Sequence, residues 1–358
     1  MLQYIIRRIL LSIPVLLGIL VVTFAIARLI PGDPCRAILG EKASQATCDR
    51  FIREKGLDKP IHIQFGIYVG EMVRGDFGQS IRYSMPVTRM LAERLPMTVE
   101  LSFSALVISM FIGIPLGIIS AVKHNSWIDV LTMVWANTGV SMPVFWLGLM
   151  LSFVFSLLLK DTPFWLPPSG RVSPGIPNDP FYEVWGIAAP EAGFGMVMHF
   201  LGRLNILNSL LTANWELLKD SIIHLILPSF ALSTIPMALI ARMTRSSMLE
   251  ILGQDYIRTA RAKGLTQRTV ILKHAFRNSL LPIVTVIGLS LGSLLGGAVL
   301  TETVFGLSGI GRALYDAITA RDYGIVQAFT VVIAVFFVIL NLLVDVSYAY
   351  LDPRIRLE

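Results

Sequence analysis

A chain of 358 residues with 54% hydrophobic and only 15% charged residues, at a mean hydropathy of +0.68, falls outside the range of soluble domains, where charged residues make up about a quarter. The net charge of +6 comes from one stretch and is not spread along the chain, which argues against a nucleic-acid-binding face. Two cysteines exclude a disulfide framework or a zinc ribbon.

The first apolar run, residues 9–30, follows Arg7 and Arg8. It is too long for a signal peptide, and no small-x-small cleavage site precedes the turn Pro31-Gly32-Asp33-Pro34, so a retained transmembrane helix is expected. Residues 35–94 alternate helix-forming stretches with turn signals such as Lys55-Gly56 and Arg74-Gly75-Asp76, the pattern of a folded segment. A second span is predicted over 99–122. The third, over 128–159, is long enough to tilt, to break or to include a re-entrant part near Met142-Pro143. Residues 162–190, rich in Pro and Gly, read as irregular loop. Apolar residues return over 192–211, interrupted at Gly202-Arg203, and suit an interfacial or packed helix. The fourth, fifth and sixth spans are predicted over 222–241, 279–300 and 324–344, each close to the ~20 residues that cross a ~30 Å hydrocarbon layer.

Between the fourth and fifth spans lie Arg242, Arg245, Arg258, Arg261, Lys263, Arg268, Lys273 and Arg277 against Glu250 and Asp255. This local excess equals the net charge of the whole chain. The positive-inside rule then places that segment and both termini in the cytoplasm, and residues 31–96, 160–220 and 302–323 outside.

Within the basic segment, Asp255 can cap or charge the start of a helix that Tyr256 to Lys263 continue. Gly264 ends it as a C-terminal cap residue. Thr266 is the expected N-cap of a second helix with Val270, Ile271 and Phe276 as its apolar residues. Two readings remain open from the residues alone. One is a solvated basic loop that only fixes topology; the other is a rigid plug for an acidic cleft in a partner.

The run Tyr256-Ile257-Arg258-Thr259-Ala260-Arg261-Ala262-Lys263-Gly264 resembles the "EAA" cytoplasmic loop of ATP-binding-cassette importer permeases. More narrowly, it resembles the first permease subunit of the dipeptide/oligopeptide subfamily. The start MLQYIIRRIL, Pro31-Gly32-Asp33-Pro34, Gly56-Leu57-Asp58-Lys59-Pro60, Gly75-Asp76-Phe77-Gly78, Ser141-Met142-Pro143, the run from Arg242 to Met248, Leu300-Thr301-Glu302 and the ending Asp352-Pro353-Arg354-Ile355-Arg356 are similar in the same order. Arg258-Thr259-Ala260 stands in place of the eponymous Glu-Ala-Ala. Leu281-Pro282 lies further from Gly264 than in the general permease pattern, and the peptide-type subfamily shares both departures. The resemblance implies an all-α, type I importer transmembrane domain of six helices with a sizeable extracytoplasmic insertion after the first. Residues 1–98 would hold the first helix and that insertion, and 99–358 the permease core with its coupling loop at 242–278. It implies contacts to an ATPase from Asp255, Tyr256, Arg258, Thr259, Ala260, Arg261, Ala262, Lys263, Gly264 and Leu265. The implied partners are a homologous second permease, two ATP-binding subunits and an external binding protein, with ATP and Mg used by the ATPases and not held by this chain. Relatives carry dipeptides, oligopeptides, glutathione, nickel complexes or sugars.

Residues that could carry chemistry are few. No GxxxxGK[ST], HExxH or GxSxG occurs, and His62, His124, His199, His224 and His274 form no i,i+4 pair, so neither catalysis nor a metal site is expected. Gly306, Gly309 and Gly311 read as a plain turn, and His224 as a packing or interfacial residue. Gly288, Gly292 and Gly296 recur on one face of the fifth span, with Gly113 and Gly117 on the second. Such stripes serve close helix packing, or a sliding seam against the partner permease. Glu100, Glu302 and Asp345 at span ends read as interface anchors rather than substrate contacts, and Arg242 and Arg245 as anchors or latch residues. Cys35 and Cys48 share an outer segment. There a disulfide closing about 14 residues would contribute roughly 3 kcal/mol, against the alternative of two packed thiols. A secondary transporter would instead need inverted repeats and polar midplane sites, and a membrane-embedded enzyme would need paired ionisable residues at depth; neither is visible.

Overall fold

The computed structural model describes residues 2–29, 44–54, 56–80, 82–188, 194–320 and 322–351. Among them the regular structure is helical, apart from one isolated antiparallel bridge between Gln79 and Pro86. A helix satisfies its own backbone groups, which a segment inside lipid must do. In chain order the helices are α1 (Leu2–Leu29), α2 (Gln45–Glu54), α3 (Ile61–Val73), α4 (Val87–Val122), α5 (Trp127–Ser141), α6 (Val144–Ser152), α7 (Phe181–Val184), α8 (Phe194–Gly202), α9 (Asn205–Leu211), α10 (Trp215–Leu252), α11 (Asp255–Ala262), α12 (Gln267–Thr269), α13 (Arg277–Gly297), α14 (Val299–Val304), α15 (Ile310–Thr319) and α16 (Tyr323–Leu351). Wider π-helical turns continue α6 over Phe153–Leu158 and join α12 to α13 over Val270–Phe276.

Among the described residues five helices are long and apolar enough to cross a membrane, and a bent pair makes a sixth if it counts as one span. The six expected spans fall on α1, α4, the α5–α6 pair, α10, α13 and α16, so the protein is a multi-pass membrane protein. Two helices overrun the bilayer. With 36 and 38 residues, α4 and α10 reach about 54 and 57 Å at ~1.5 Å per residue. The boundary expected at residue 98 therefore falls inside an unbroken helix. Arg89, Glu93 and Arg94 lie on α4 itself, ahead of that residue. Likewise α10 runs on to Leu252, so the first part of the 242–278 loop is helix.

Prolines set several of the helix starts. Pro60, Pro86, Pro143 and Pro180 directly precede α3, α4, α6 and α7, with φ between −54° and −62°. Proline is preset near this φ and gives up no amide that a helix start could use. At the third span the same effect breaks the helix. Met142 is pushed to φ −91°, ψ 133° by the proline after it, and the two legs meet at 98°.

The core forms where α4, α10 and α13 meet. Met97, Leu101, Ala105 and Leu106 of α4 pack with Leu225, Leu227, Ala231 and Leu232 of α10 and with Leu294 of α13, closed by Phe305 and Leu307. A second cluster joins Val87, Met90, Leu91 and Leu95 at the start of α4 to α15 and to Ile325, Ala328 and Phe329 of α16. By contrast α1 leans mainly on α16 and exposes Leu10, Leu11 and Val22, side chains that lipid covers at no cost.

Glycines bring α4 against α10. A methyl group at Gly113 would lie 2.7 Å from the Met237 carbonyl oxygen, and one at Gly117 would lie 2.6 Å from that of Ala241. A methyl group at Gly296 would meet nothing within 4 Å. Gly117→Ala is therefore expected to cost about 1–3 kcal/mol through overpacking, and Gly296→Ala to stay within about 0.5 kcal/mol of neutral. Thermal unfolding midpoints of the two variants in detergent check this, and equal midpoints would contradict the close α4–α10 contact.

Candidate functional site

The elbow is built by α11 to α13. The chain leaves α10 at Gly253 and enters α11 through Gln254, whose backbone is extended. Asp255 occupies the first turn of α11, where its charge suits the positive end of the helix dipole, and it pairs with Arg258 at 3.3 Å. Ile257 and Ala260, three residues apart and so on one face, are 0% and 6% exposed. They pack with Met248 of α10, Ala121 of α4, and Val270 and Ala275 beyond the elbow. The opposite face is open: Tyr256, Arg258, Thr259, Arg261, Ala262, Lys263, Gly264 and Leu265 are all exposed.

Gly264 closes α11. Its φ of +73° is one that other residues adopt only under strain. The Gly264 amide donates to the Arg261 carbonyl at 3.0 Å and the Leu265 amide to that of Ala260 at 3.4 Å, the paired bonds of a Schellman stop. Thr266 stands at the N-cap of α12, but its hydroxyl meets that of Thr269 at 2.9 Å and caps no amide. From α12 the chain passes through the π-helical turn straight into α13. The Tyr256 hydroxyl accepts from Asn278 Nδ2 at 3.0 Å, tying the elbow to the foot of α13. The elbow is thus a short helix seated on the ends of α4 and α10 and continuous with two membrane spans.

Comparison with known proteins places this architecture. Residues 113–357 match the family described as binding-protein-dependent transport system inner membrane component. Residues 1–102 match the N-terminal family of the same membrane components. The chain belongs to this permease family. Its fold is therefore the transmembrane domain of a type I ATP-binding-cassette importer. The permease is 46% identical over 356 residues to the dipeptide transport system permease protein DppB of Alkalihalophilus pseudofirmus, covering 99% of this chain and all of that protein. It is 43% identical over 360 residues to the DppB of Escherichia coli K12, covering 99% of each chain. To the oligopeptide transport system permease protein AppB of Bacillus subtilis it is 39% identical over 358 residues, covering 99% of this chain and all of that protein.

The permease distributes the other expected residues as follows. Ala260 faces inward, so of the two alanines before the elbow glycine only Ala262 lies on the open face. Gly288 and Gly292 meet Val344 and Phe337 of α16 in the same chain, while Gly296 faces open space. Cys48 is buried in α2, and Cys35 lies outside the described residues. His224 is buried, its Nδ1 2.9 Å from the Asp220 carbonyl oxygen. Among the described residues no three His, Cys, Asp or Glu gather as a metal site.

The span-end carboxylates differ from the expected interface anchors. Glu100 is buried and accepts from Arg171 at 2.6 Å and from the Ile206 amide at 2.8 Å. Asp345 pairs with Arg8 at 3.0 Å. Glu302 is fully buried. Its carboxylate accepts from the Thr98 hydroxyl at 2.6 Å and the Arg312 amide at 2.8 Å, while the Ile310 amide donates to Thr98 at 2.8 Å. Glu302 and Thr98 together cap the first turn of α15. Gly309 makes room for them, because a methyl group there would collide with both side chains. Burial pushes the Glu302 carboxyl above its usual range, with the donors only partly offsetting it.

One group escaped the sequence reading. Asp129 receives two hydrogen bonds from Arg245, each 2.8 Å. The signal was present, since Asp129 is the single charged residue across 127–159. Arg242 of α10 also donates to Asn137 Oδ1 of α5, at 2.5 Å.

Glu302→Gln would turn one acceptor into a donor facing the Arg312 amide or the Thr98 hydroxyl. A loss of about 1–3 kcal/mol is expected, read as a lower thermal midpoint of the purified permease. An unchanged midpoint would contradict the capping role.

Proposed function

We propose that this chain is a permease subunit of an ATP-driven importer that moves di- or oligopeptides across the cytoplasmic membrane by alternating access. The elbow carries this reading. Its inner face is buried on α4 and α10, and its outer face offers Arg258, Arg261, Lys263 and Arg268 to a partner. Such a surface suits an acidic cleft on an ATPase subunit. Closure of two ATPases on ATP would turn the elbow, and α10 and α13 would transmit the turn to the bundle. The ATPases bind ATP and Mg; this chain positions and moves helices. A homologous second permease completes the passage, and an external binding protein delivers and selects the substrate. The peptide assignment rests on the relatives, which are named for dipeptide and oligopeptide transport over nearly the whole length of the chain. In this reading both termini and the elbow are cytoplasmic, and Cys35 and Cys48 form a disulfide on the outer side. Uptake of labelled dipeptide by proteoliposomes holding all the subunits tests the reading, and ATP hydrolysis without peptide accumulation would reject it.

Gly264→Pro removes the positive φ that closes the elbow, and Ala262→Trp adds bulk to the open face without touching the core. Both variants are expected to reach the membrane, to lose most co-purification with the ATPase and to lose substrate-stimulated hydrolysis. Normal values in both would mean that the elbow does not dock there.

A cysteine placed at Thr266 is expected to react with an impermeant thiol reagent only from the cytoplasm, and one at Ser173 only from outside. Reaction of both from the same side would overturn the orientation.

A further inference from the structure

Asp129 lies in the first turn of α5 with its side chain 6% exposed. Arg245 of α10 grips both carboxylate oxygens, Nε on one and Nη2 on the other, each at 2.8 Å. The Ser120 hydroxyl of α4 donates to the first oxygen, and the Asn125 amide to the second at 3.1 Å. One carboxylate thus joins three helices at the end of the bundle that carries the elbow. A bidentate Arg–carboxylate pair fixes orientation as well as distance.

The neighbours of these residues seat the elbow. Ala121, next to Ser120, shares a buried cluster with Ile257 and Ala260 of α11. Thr244, next to Arg245, is the residue against which Gly117 closes. Further along α5, a methyl group at Gly139 would lie 2.9 Å from Thr234 Cβ, so α5 stays close to α10. Beyond the bend, Gly148 of α6 meets the Phe305 ring, where a methyl group would lie 3.0 Å away. A continuous series of close contacts therefore runs from the elbow through Asp129 to the opposite end of the bundle, three residues from Glu302.

We propose that Asp129, Ser120 and Arg245 lock the elbow-bearing ends of α4, α5 and α10 into one rigid unit, so that motion received by the elbow also drives the bent α5–α6 pair. The inference rests on the reading that an ATPase loads the elbow. Asp129 and Arg245 are positioning residues, because they act through the helices they join.

The test uses the complete importer, with the second permease, ATPases and binding protein, in proteoliposomes. Spin labels at Trp127→Cys on α5 and Glu250→Cys on α10, both exposed, report the distance across the lock in the otherwise native permease. That distance is expected to hold between nucleotide-free and ATP-bound states. A change of about 5 Å, one helical turn, would overturn the proposal without any variant of the lock. Asp129→Asn, which leaves no buried charge without its partner, is expected to keep ATPase assembly and hydrolysis while peptide moved per ATP falls about tenfold or more, the scale of an allosteric coupling. Arg245→Lys, which keeps the charge but loses the fork, is expected to fall between. Unchanged peptide per ATP in Asp129→Asn would overturn the lock. So would equal loss of assembly and uptake, which would make the pair a folding element only. Failure of the native assembly to couple uptake to ATP would instead count against the proposed function.

Discussion

The contact on which the rest depends is the backbone-close approach of α4 to α10. Between two helices inside lipid there is no hydrophobic drive to exploit, because the tails are as apolar as leucine. Association rests on dispersion and therefore on shape. Gly113 and Gly117 supply the shape by letting the carbonyls of Met237 and Ala241 come close. Once this pair is set, α13 fills the groove beside it, α5 lies across it, and the elbow finds a seat on its end formed by Ala121 and Met248. A methyl group at either glycine would press not on one neighbour but on the platform that carries the elbow.

Three of the ion pairs share a pattern. Glu100 with Arg171, Asp129 with Arg245 and Asp345 with Arg8 each pair an acid of one helix with a base from another part of the chain. Asp220 on α10 accepts from the Ser173 amide at 2.7 Å and its hydroxyl at 2.8 Å, so the loop after α6 is held down along α10. Exposed pairs of this kind contribute little. Where the acid is buried, the partner is obligatory, since removing it leaves an uncompensated charge in a low-dielectric setting. Such pairs fix which ends of the helices lie side by side more than they add stability.

The sequence made the spans legible because lipid imposes one length and one composition on anything that crosses it. The elbow was legible because Gly264 interrupts a polar helix at a point where only glycine is comfortable. Helix faces were not. Ala260 and Ala262 are equivalent in composition, and what separates them is that α4 and α10 cover one side of an eight-residue helix, a fact of tertiary packing. The carboxylates were misread for a related reason. Hydropathy registers Glu302 only as the end of an apolar run, while its partner Thr98 lies 204 residues away. Asp129 and Arg245 are separated by 116 positions, and neither has a local motif to announce the other.

The right-angled break in the third span carries an obligation of its own. Each leg has fifteen residues and reaches about 22 Å, so neither alone crosses the hydrocarbon. The last carbonyls of α5 have no partner further along the helix, and the corner at Met142-Pro143 offers no amide from proline to meet them. Asn137, Thr138 and Ser141 crowd the same turn, and the Ser141 hydroxyl donates to the Asn137 carbonyl at 3.2 Å. Hydrocarbon cannot hydrate such a corner. A permease that bends here commits one spot within its span to being wetted or roofed by polypeptide, and the bilayer around it must yield that ground.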